Sequence, residues 1–468
     1  MKRRNFNLLA GASFAGASFS GLICGRAFAQ AADASQLGLT LTPFGAERAG
    51  NAAGTIPAWT GGMTVVPAGI SWDPNATLPP DFWADEQPLY EVNPENMAQY
   101  EALLTDGVKF QIQNKGMNLK VYPTHRTASA PQWVYDNAAA NVTRAVLNPN
   151  GGRLGYTGAY GGIPFPILDT SDPYKAGAQA VWNHESRWGG SYLEQVSSTF
   201  VVIGGVRSLA QVSRAAFIYP FYQKGGSPST YDGYLYKVGG PGQFAPANVA
   251  GDQTINYTSS NPIATPNVTW QLLAGQGRVR KAPEVEYDTP STYADGICNY
   301  DEYYGFNGAL NEYDWKLLGK QEMLVPYNNN KLANTPSAVA HGPKFINPDA
   351  MRWELHRVWV VEATLHPGER NVLARRKLYI DEDTWQAMII DSWDAKGNIF
   401  HHGFTVNGVF PNLPGTIFTN VIVNNLQTGN YVSVTGAWGD APYNAAWTFD
   451  PVPPSTFNPQ TMAAAANY

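Results

Sequence analysis

Charge is scarce in this chain: Asp, Glu, Lys and Arg make up 15% of its 468 residues, where about 25% is usual. The 31 basic and 37 acidic residues leave a formal charge of −6, which excludes a surface built to neutralise rows of phosphates and, with it, a nucleic-acid partner. Cysteine is nearly absent, with only Cys24 and Cys298, so no disulfide framework and no paired C-x-x-C metal site can form. There is no Walker-type phosphate loop and no H-E-x-x-H, and no G-x-S-x-G elbow follows residue 29. Gly240-Pro241-Gly242 and Gly275-Gln276-Gly277 lack the strand–helix context of a dinucleotide site. The sequence therefore assigns no cofactor and no metal. Beyond the first thirty residues no apolar run reaches the eighteen or so needed for a spanning helix.

What is present is aromatic and irregular. Phe, Trp and Tyr reach 13%, apolar residues 44%, and 46 glycines and 34 prolines punctuate the chain. Such a composition can bury large cores and is incompatible with a coiled coil or a disordered tail. Lys2, Arg3 and Arg4 precede an apolar, small-residue stretch from Leu8 to Cys24, followed by Ala27-Phe28-Ala29. This is the layout of a cleaved export signal over residues 1–29. Arg3-Arg4-Asn5-Phe6 resembles a twin-arginine signal while Asn7 departs from it, so that route and the ordinary secretory one both stay open. Ile23 stands where a lipoprotein signal has a small residue. Cleavage removes four cations and no anion, taking the formal charge from −6 to −10, and leaves Cys298 without a partner.

Residues 30–92 read as an extended Pro/Gly-rich arm, and 93–468 as one large β-rich domain. Asn93-Pro94-Glu95 marks a helix start, with Met97, Tyr100 and Leu104 on one face and Gly107 as its stop. A second helical stretch is expected from Asp172 to Tyr192. The clearest pattern is an antiparallel meander over Arg352–Leu365, Val372–Ile380, Trp385–Trp393 and Asn398–Phe404. In its first strand neither face is uniformly polar: Trp353, Leu355, Arg357, Trp359, Val361 and Ala363 alternate with Glu354, His356, Val358, Val360 and Glu362. A sheet apolar on both sides must be covered on both sides. The fold class expected is mainly β (α+β): a large curved antiparallel sheet or half-barrel with covering helices and an N-terminal arm.

Strand parity nominates Trp353, Trp359, Leu378, Trp385 and Ile389 as the lining of an apolar ligand site, with His356 and Arg357 as polar contacts to a bound head group. The ligand class this implies is a lipid or another hydrophobic molecule, held without catalysis. Two other readings stay open. Asp301, Glu302 and Asp314, interleaved with aromatics, would serve a hydrolase of glycan or lipid if they faced one another. The arm would serve an adaptor that docks an exporter. Adjacent His401 and His402 point to opposite faces of a strand and so do not share a metal.

Several blocks resemble the bacterial domain of unknown function 1329 family. They are Leu41-Thr42-Pro43-Phe44-Gly45-Ala46-Glu47-Arg48-Ala49-Gly50-Asn51, Gly54 through Gly62, Val121 through Arg126, Gly161 through Pro166 and Arg280 through Pro283. The series continues with Phe306 through Leu310, Tyr313 through Lys316, Glu354 through Thr364 and Tyr379 through Asp383. The family is distantly similar to the lipoprotein-sorting carriers of the Lol pathway. That resemblance implies a half-barrel whose helices close a greasy cavity, in the periplasm or at the outer membrane. It also implies peripheral membrane contact and a partnership with exporters of the resistance-nodulation-division type. It carries over no catalytic or ligand residue. His184-Glu185-Ser186-Arg187 departs from the more basic run usual there.

Overall fold

The computed structural model describes residues 33–282 and 288–465; the leader expected over 1–29 lies outside them. Fifteen strands among these residues join in one open sheet. In chain order they are β1 (Tyr90–Val92), β2 (Leu119–Val121), β3 (Tyr192–Ile203), β4 (Val206–Ile218), β5 (Tyr234–Ala245), β6 (Gln253–Ser259), β7 (Val268–Leu273) and β8 (Arg278–Lys281). After these come β9 (Tyr313–Pro326), β10 (Trp353–Leu365), β11 (Arg375–Asp381), β12 (Ala387–Trp393), β13 (Ile399–Phe410), β14 (Gly415–Asn425) and β15 (Tyr431–Gly436). The three helices of ten residues or more among the described residues pack against this sheet: α1 (Asp106–Lys115), α2 (Gln132–Arg144) and α3 (Pro173–Glu185).

The chain lays down two antiparallel meanders, β3 to β8 and β9 to β15, and fuses them where β15 pairs with β3. The β1–β2 pair joins through a single parallel contact of Val121 with Trp353. The meander expected over 352–404 is β10 to β13, and β9 adds a partner strand along the whole length of β10. The mainly β class with covering helices is what the chain adopts. Residues 33–89 run as turns, bends and isolated bridges.

Both faces of the meander are indeed covered. On one, Val134 and Ala138 of α2 and Ala176, Ala180 and Val181 of α3 pack with Trp315, Val361, Ala363, Leu378, Ile380 and Ile390. On the other, Val108 and Ile112 of α1 pack with Val358, Val360, Tyr379, Met388, Ile389 and Phe404. Each buried Leu, Ile or Val side chain removes enough apolar surface to contribute about 1.5–3 kcal/mol before chain entropy is counted.

The helix expected to open at Asn93 differs. Asn93 caps a turn, accepting from the backbone N–H of Glu95 and Asn96, but residues 97–103 form only two short 3-10 turns. The α-helix begins after Thr105, whose hydroxyl accepts from Val108 N–H. Gly107, read as a stop, lies in its first turn. A Cβ there would meet Asp391 Oδ1 and His402 Nδ1 at 2.2 Å, so the glycine marks a close approach to the sheet and not a helix end. The second helix starts after Asp172, whose side chain caps it, and ends at Glu185, short of Tyr192, which is already the first residue of β3.

Candidate functional site

The two meanders are joined by a short strand. β15 has six residues, whereas β14 has eleven and β3 twelve. Pairing of β14 with β15 stops at Val421–Val434, and pairing of β15 with β3 stops at Gly436–Ser198. Past those points the chain after β15 still contacts both strands, through Ala437 N–H to Thr419 O on β14 and an antiparallel bridge of Thr448 with Glu194 on β3, and residues of both strands line a groove. Its walls are Ile417 and Phe418 on β14, Leu193 and Gln195 on β3, Phe217 and Tyr219 at the end of β4, and Leu235 and Tyr236 on β5. The segment leaving α3, Glu185 to Gly189, closes one side, and Tyr304, Phe306 and Asn307 close another. The empty space of the groove, solvent at its open mouth included, is about 770 Å³. Its lining is aromatic with a few polar groups, as small-molecule sites are.

The polar groups are positioned from α3. His184 is fully buried; its Nδ1 accepts from Ala387 N–H at 3.0 Å, so Nε2 carries the proton toward Phe306 O at 3.1 Å. Burial, with Arg187 adding to it, holds the imidazole neutral, its pKa pushed down to about 3. This histidine ties the helix end to the sheet and fixes the next three residues. Glu185 Oε1 accepts from Gly308 N–H at 3.1 Å, and burial pushes its carboxyl up to about 8 against the pull of Arg187. Glu185 is therefore protonated at neutral pH. The Arg187 guanidinium lies over the Phe418 ring at 4.4 Å and the Tyr304 ring at 5.7 Å, and Nη1 donates to His184 O at 2.6 Å.

The residues nominated from the meander line none of this groove. Trp359, Leu378 and Trp385 pack on the α3 side, with the Trp359 and Trp385 rings stacked at 6.4 Å. Trp353 and Ile389 belong to the opposite cluster, so the common face read from parity is corrected. Ile389 crosses because β12 bulges at Met388: Tyr379 opposes Ile389 while Ile380 opposes Ala387, and one extra residue flips every later side chain. Trp353 lies before Val358, where β10 pairing with β11 begins, and contacts the Phe404 ring at 6.1 Å.

His356 and Arg357 enter a buried ion network. His356 Nε2 lies 3.0 Å from Glu354 Oε2, with its ring stacked on Tyr327 at 3.8 Å. Arg357 donates to Glu382 Oε1 and to Ala49 O, both at 3.1 Å. Beside it Arg126 forks onto Asp383 with two contacts of 2.7 Å and donates to Glu47 O at 2.8 Å. Ligand atoms of His356, Asp381 and Asp383 lie within 4.8 Å of one another. Both oxygens of Asp383 are taken by Arg126, and Asp381 Oδ2 accepts from Tyr327 and Thr384, while Asp381 Oδ1 lies 3.8 Å from His356 Nδ1 without a hydrogen bond; Arg126 and Arg357 fasten the N-terminal segment to the sheet. Asp301 and Glu302 have separate partners: Arg376 pairs with Asp301, and His401 lies 2.8 Å from Glu302. Asp314 lies with His366 at 3.0 Å. Strand alternation separates His401 from His402, whose Nδ1 lies 2.8 Å from Asp391.

The family model described as protein of unknown function (DUF1329) matches residues 91–463. Uncharacterized protein PA3922 of Pseudomonas aeruginosa is 38% identical over 376 residues, 79% of each chain. Among solved structures, a putative outer membrane lipoprotein-sorting protein domain from Vibrio parahaemolyticus is 12% identical with a TM-score of 0.42, covering 62% of this chain and 99% of its own. A DUF1329 family protein from Desulfovibrio piger is 14% identical with a TM-score of 0.41, over the same shares. For the LolA superfamily protein NE2245 from Nitrosomonas europaea the identity is 11% and the TM-score 0.33, over 60% of this chain and 97% of that one.

Proposed function

This chain belongs to the DUF1329 family of proteins of unknown function, and from that premise we propose that it is an exported envelope carrier that holds a hydrophobic molecule in the groove between β14 and β3. The observation that carries this reading is the groove itself: an open space lined by Trp188, Phe217, Tyr219, Tyr236, Phe306 and Phe418. Each methylene moved into such a lining contributes about 0.8 kcal/mol. The export signal read in residues 1–29 supports a carrier in the periplasm or at the outer membrane. An exporter is then the acceptor to which cargo passes. In this reading Trp359, Leu378 and Trp385 belong to the α3-side core, Trp353 and Ile389 to the core on the other face, and Arg357 fastens the N-terminal segment through Ala49 O.

Native mass spectrometry of protein recovered from periplasm without detergent, followed by solvent extraction, tests the proposal. A reproducible added mass that partitions into the organic phase is expected. Gly189→Leu is the matched control. The atoms nearest a Cβ at Gly189 are those of the Tyr219 side chain, its hydroxyl at 3.5 Å, and Gly189 itself lines the groove, so a leucine there should narrow the groove and the added mass should vanish while the fold persists. Equal ligand content in both proteins would refute the groove as the site.

A further inference from the structure

We infer that Arg187 is an anchor for a single negative charge, so that the cargo is an amphiphile with an apolar chain and a monoanionic head. The inference rests on the carrier reading above and names the class of molecule carried. A guanidinium has five N–H donors in a fixed fork and remains charged at any physiological pH. Arg187 uses one donor on His184 O at 2.6 Å. No carboxylate among the described residues lies within ion-pair distance of it, although Arg126, Arg352, Arg357 and Arg376 are all paired with acids in the interior. Removal of a cation from water without a counter-charge is costly. Two features offset part of that cost. The C-terminal carbonyls of α3 attract a cation by about 0.3–1 kcal/mol, and the Phe418 and Tyr304 rings add cation–π attraction. Neither cancels the formal charge.

The neighbouring acid does not cancel it either. Glu185 turns Oε1 to Gly308 N–H and is kept protonated at neutral pH by its burial. The groove therefore presents one net positive charge at its α3 end and aromatic side chains elsewhere. Gln195 and Asn307 in the lining supply neutral donors for a second oxygen. A head with one negative charge matches this set. A neutral lipid would leave the guanidinium unanswered, and a dianion would bury an excess charge. The same chemistry occurs in a fatty-acid carboxylate and in the phosphodiester of a lysophospholipid.

Both sources can be separated with the delipidated full-length mature protein and three probes of equal chain length: laurate, lauroyl lysophosphatidylglycerol and dodecanol. Equilibrium dialysis should show at least one of the anions binding about tenfold to a hundredfold more tightly than dodecanol, the range expected for a charge-assisted contact. The anion that keeps the advantage names the head group. Arg187→Gln should abolish the preference and leave dodecanol binding unchanged, and Arg187→Lys should keep part of it. Equal binding of all three probes to the wild-type protein overturns the inference while leaving the carrier reading intact. Failure of all three to bind overturns both.

Discussion

Gly177 of α3 lies against the backbone of Trp315 in β9: a Cβ on the glycine would stand 2.5 Å from the Trp315 carbonyl oxygen. The helix is thus seated on the sheet backbone to backbone, and that contact sets where its last residues emerge beside the groove. Glycine in a helix interior costs about 0.5–1 kcal/mol relative to alanine, so in an unconstrained helix Gly177→Ala would stabilise. Here the methyl group must push α3 away. The expected outcome is a loss of about 1–3 kcal/mol in urea unfolding, accompanied by weaker ligand binding. Gly275→Ala, at a glycine with nothing within 4 Å of a new Cβ, should leave binding unchanged.

Arg126 couples two distant stretches of chain. It forks onto Asp383 and donates to Glu47 O, and Arg357 holds Ala49 O from the other side. Arg126→Met leaves the buried Asp383 without its counter-charge, which costs about 3–5 kcal/mol in comparable pairs. The N-terminal segment also loses its fastening. Limited proteolysis read by mass spectrometry should therefore show new cleavage between residues 45 and 60. Arg126→Lys should protect only partly, because an ammonium cannot fork onto both carboxylate oxygens. An unchanged digestion pattern in Arg126→Met would contradict the fastening role.

The second meander is legible in the sequence because alternating apolar residues and short turns are local signals. The start of the second helical stretch at Asp172 is equally legible. The requirement that both faces be covered comes from Val358 and Val360 alternating with Trp359 and Val361, and α1 meets it on one side, α2 and α3 on the other. What stays hidden depends on partners far away in sequence. The bulge at Met388 arises from pairing with β11, and nothing within residues 385–393 announces it. Gly107 resembles a stop because its neighbours Asp391 and His402 are nearly three hundred residues away. The groove is lined from β3, β4, β5 and β14 together with residues 185–189, Tyr304, Phe306 and Asn307, a gathering that no window of sequence contains. Arg187 stands out in the sequence only as part of a departure from a family pattern. The buried Glu185 beside it offers the one local hint, since two opposite charges separated by one residue at a helix end need an explanation.

The bulge has a measurable consequence on the two sides of the sheet. Ile389 is completely buried in the α1-side cluster, and Trp359 packs on the α3 side with its ring stacked on Trp385. Ile389→Ala should cost about 2–5 kcal/mol without altering ligand affinity. In a double-mutant cycle Ile389→Ala and Trp359→Ala should add to within about 0.5 kcal/mol, as for sites without shared partners. Trp359→Ala and Trp385→Ala should instead couple by about 0.5–1.5 kcal/mol through the ring contact. Strong coupling of Ile389 with Trp359 would return them to a common face.

Glu185 makes the groove sensitive to pH in a direction that can be derived. Burial raises its carboxyl from the ordinary 4.5 to about 8, with Arg187 opposing. The folded protein therefore holds this proton more tightly than the unfolded chain does. Below 4.5 both forms are protonated and the group is neutral to stability; between 4.5 and about 8 the unfolded chain alone loses the proton, so stability falls as pH rises. Above about 8 the carboxylate forms in place, beside Arg187 and near Tyr236. There it supplies the counter-charge that an anionic ligand would otherwise bring. Laurate affinity should accordingly decline above that pH, by at most about tenfold per pH unit, while dodecanol affinity stays level. Glu185→Gln keeps the shape and removes the titration. It should flatten the laurate profile, and it should raise the melting temperature more at pH 8.5 than at pH 5. A laurate profile that still falls in Glu185→Gln would assign the pH dependence to another group, and an equal gain in melting temperature at both pH values would show that this carboxyl is not raised.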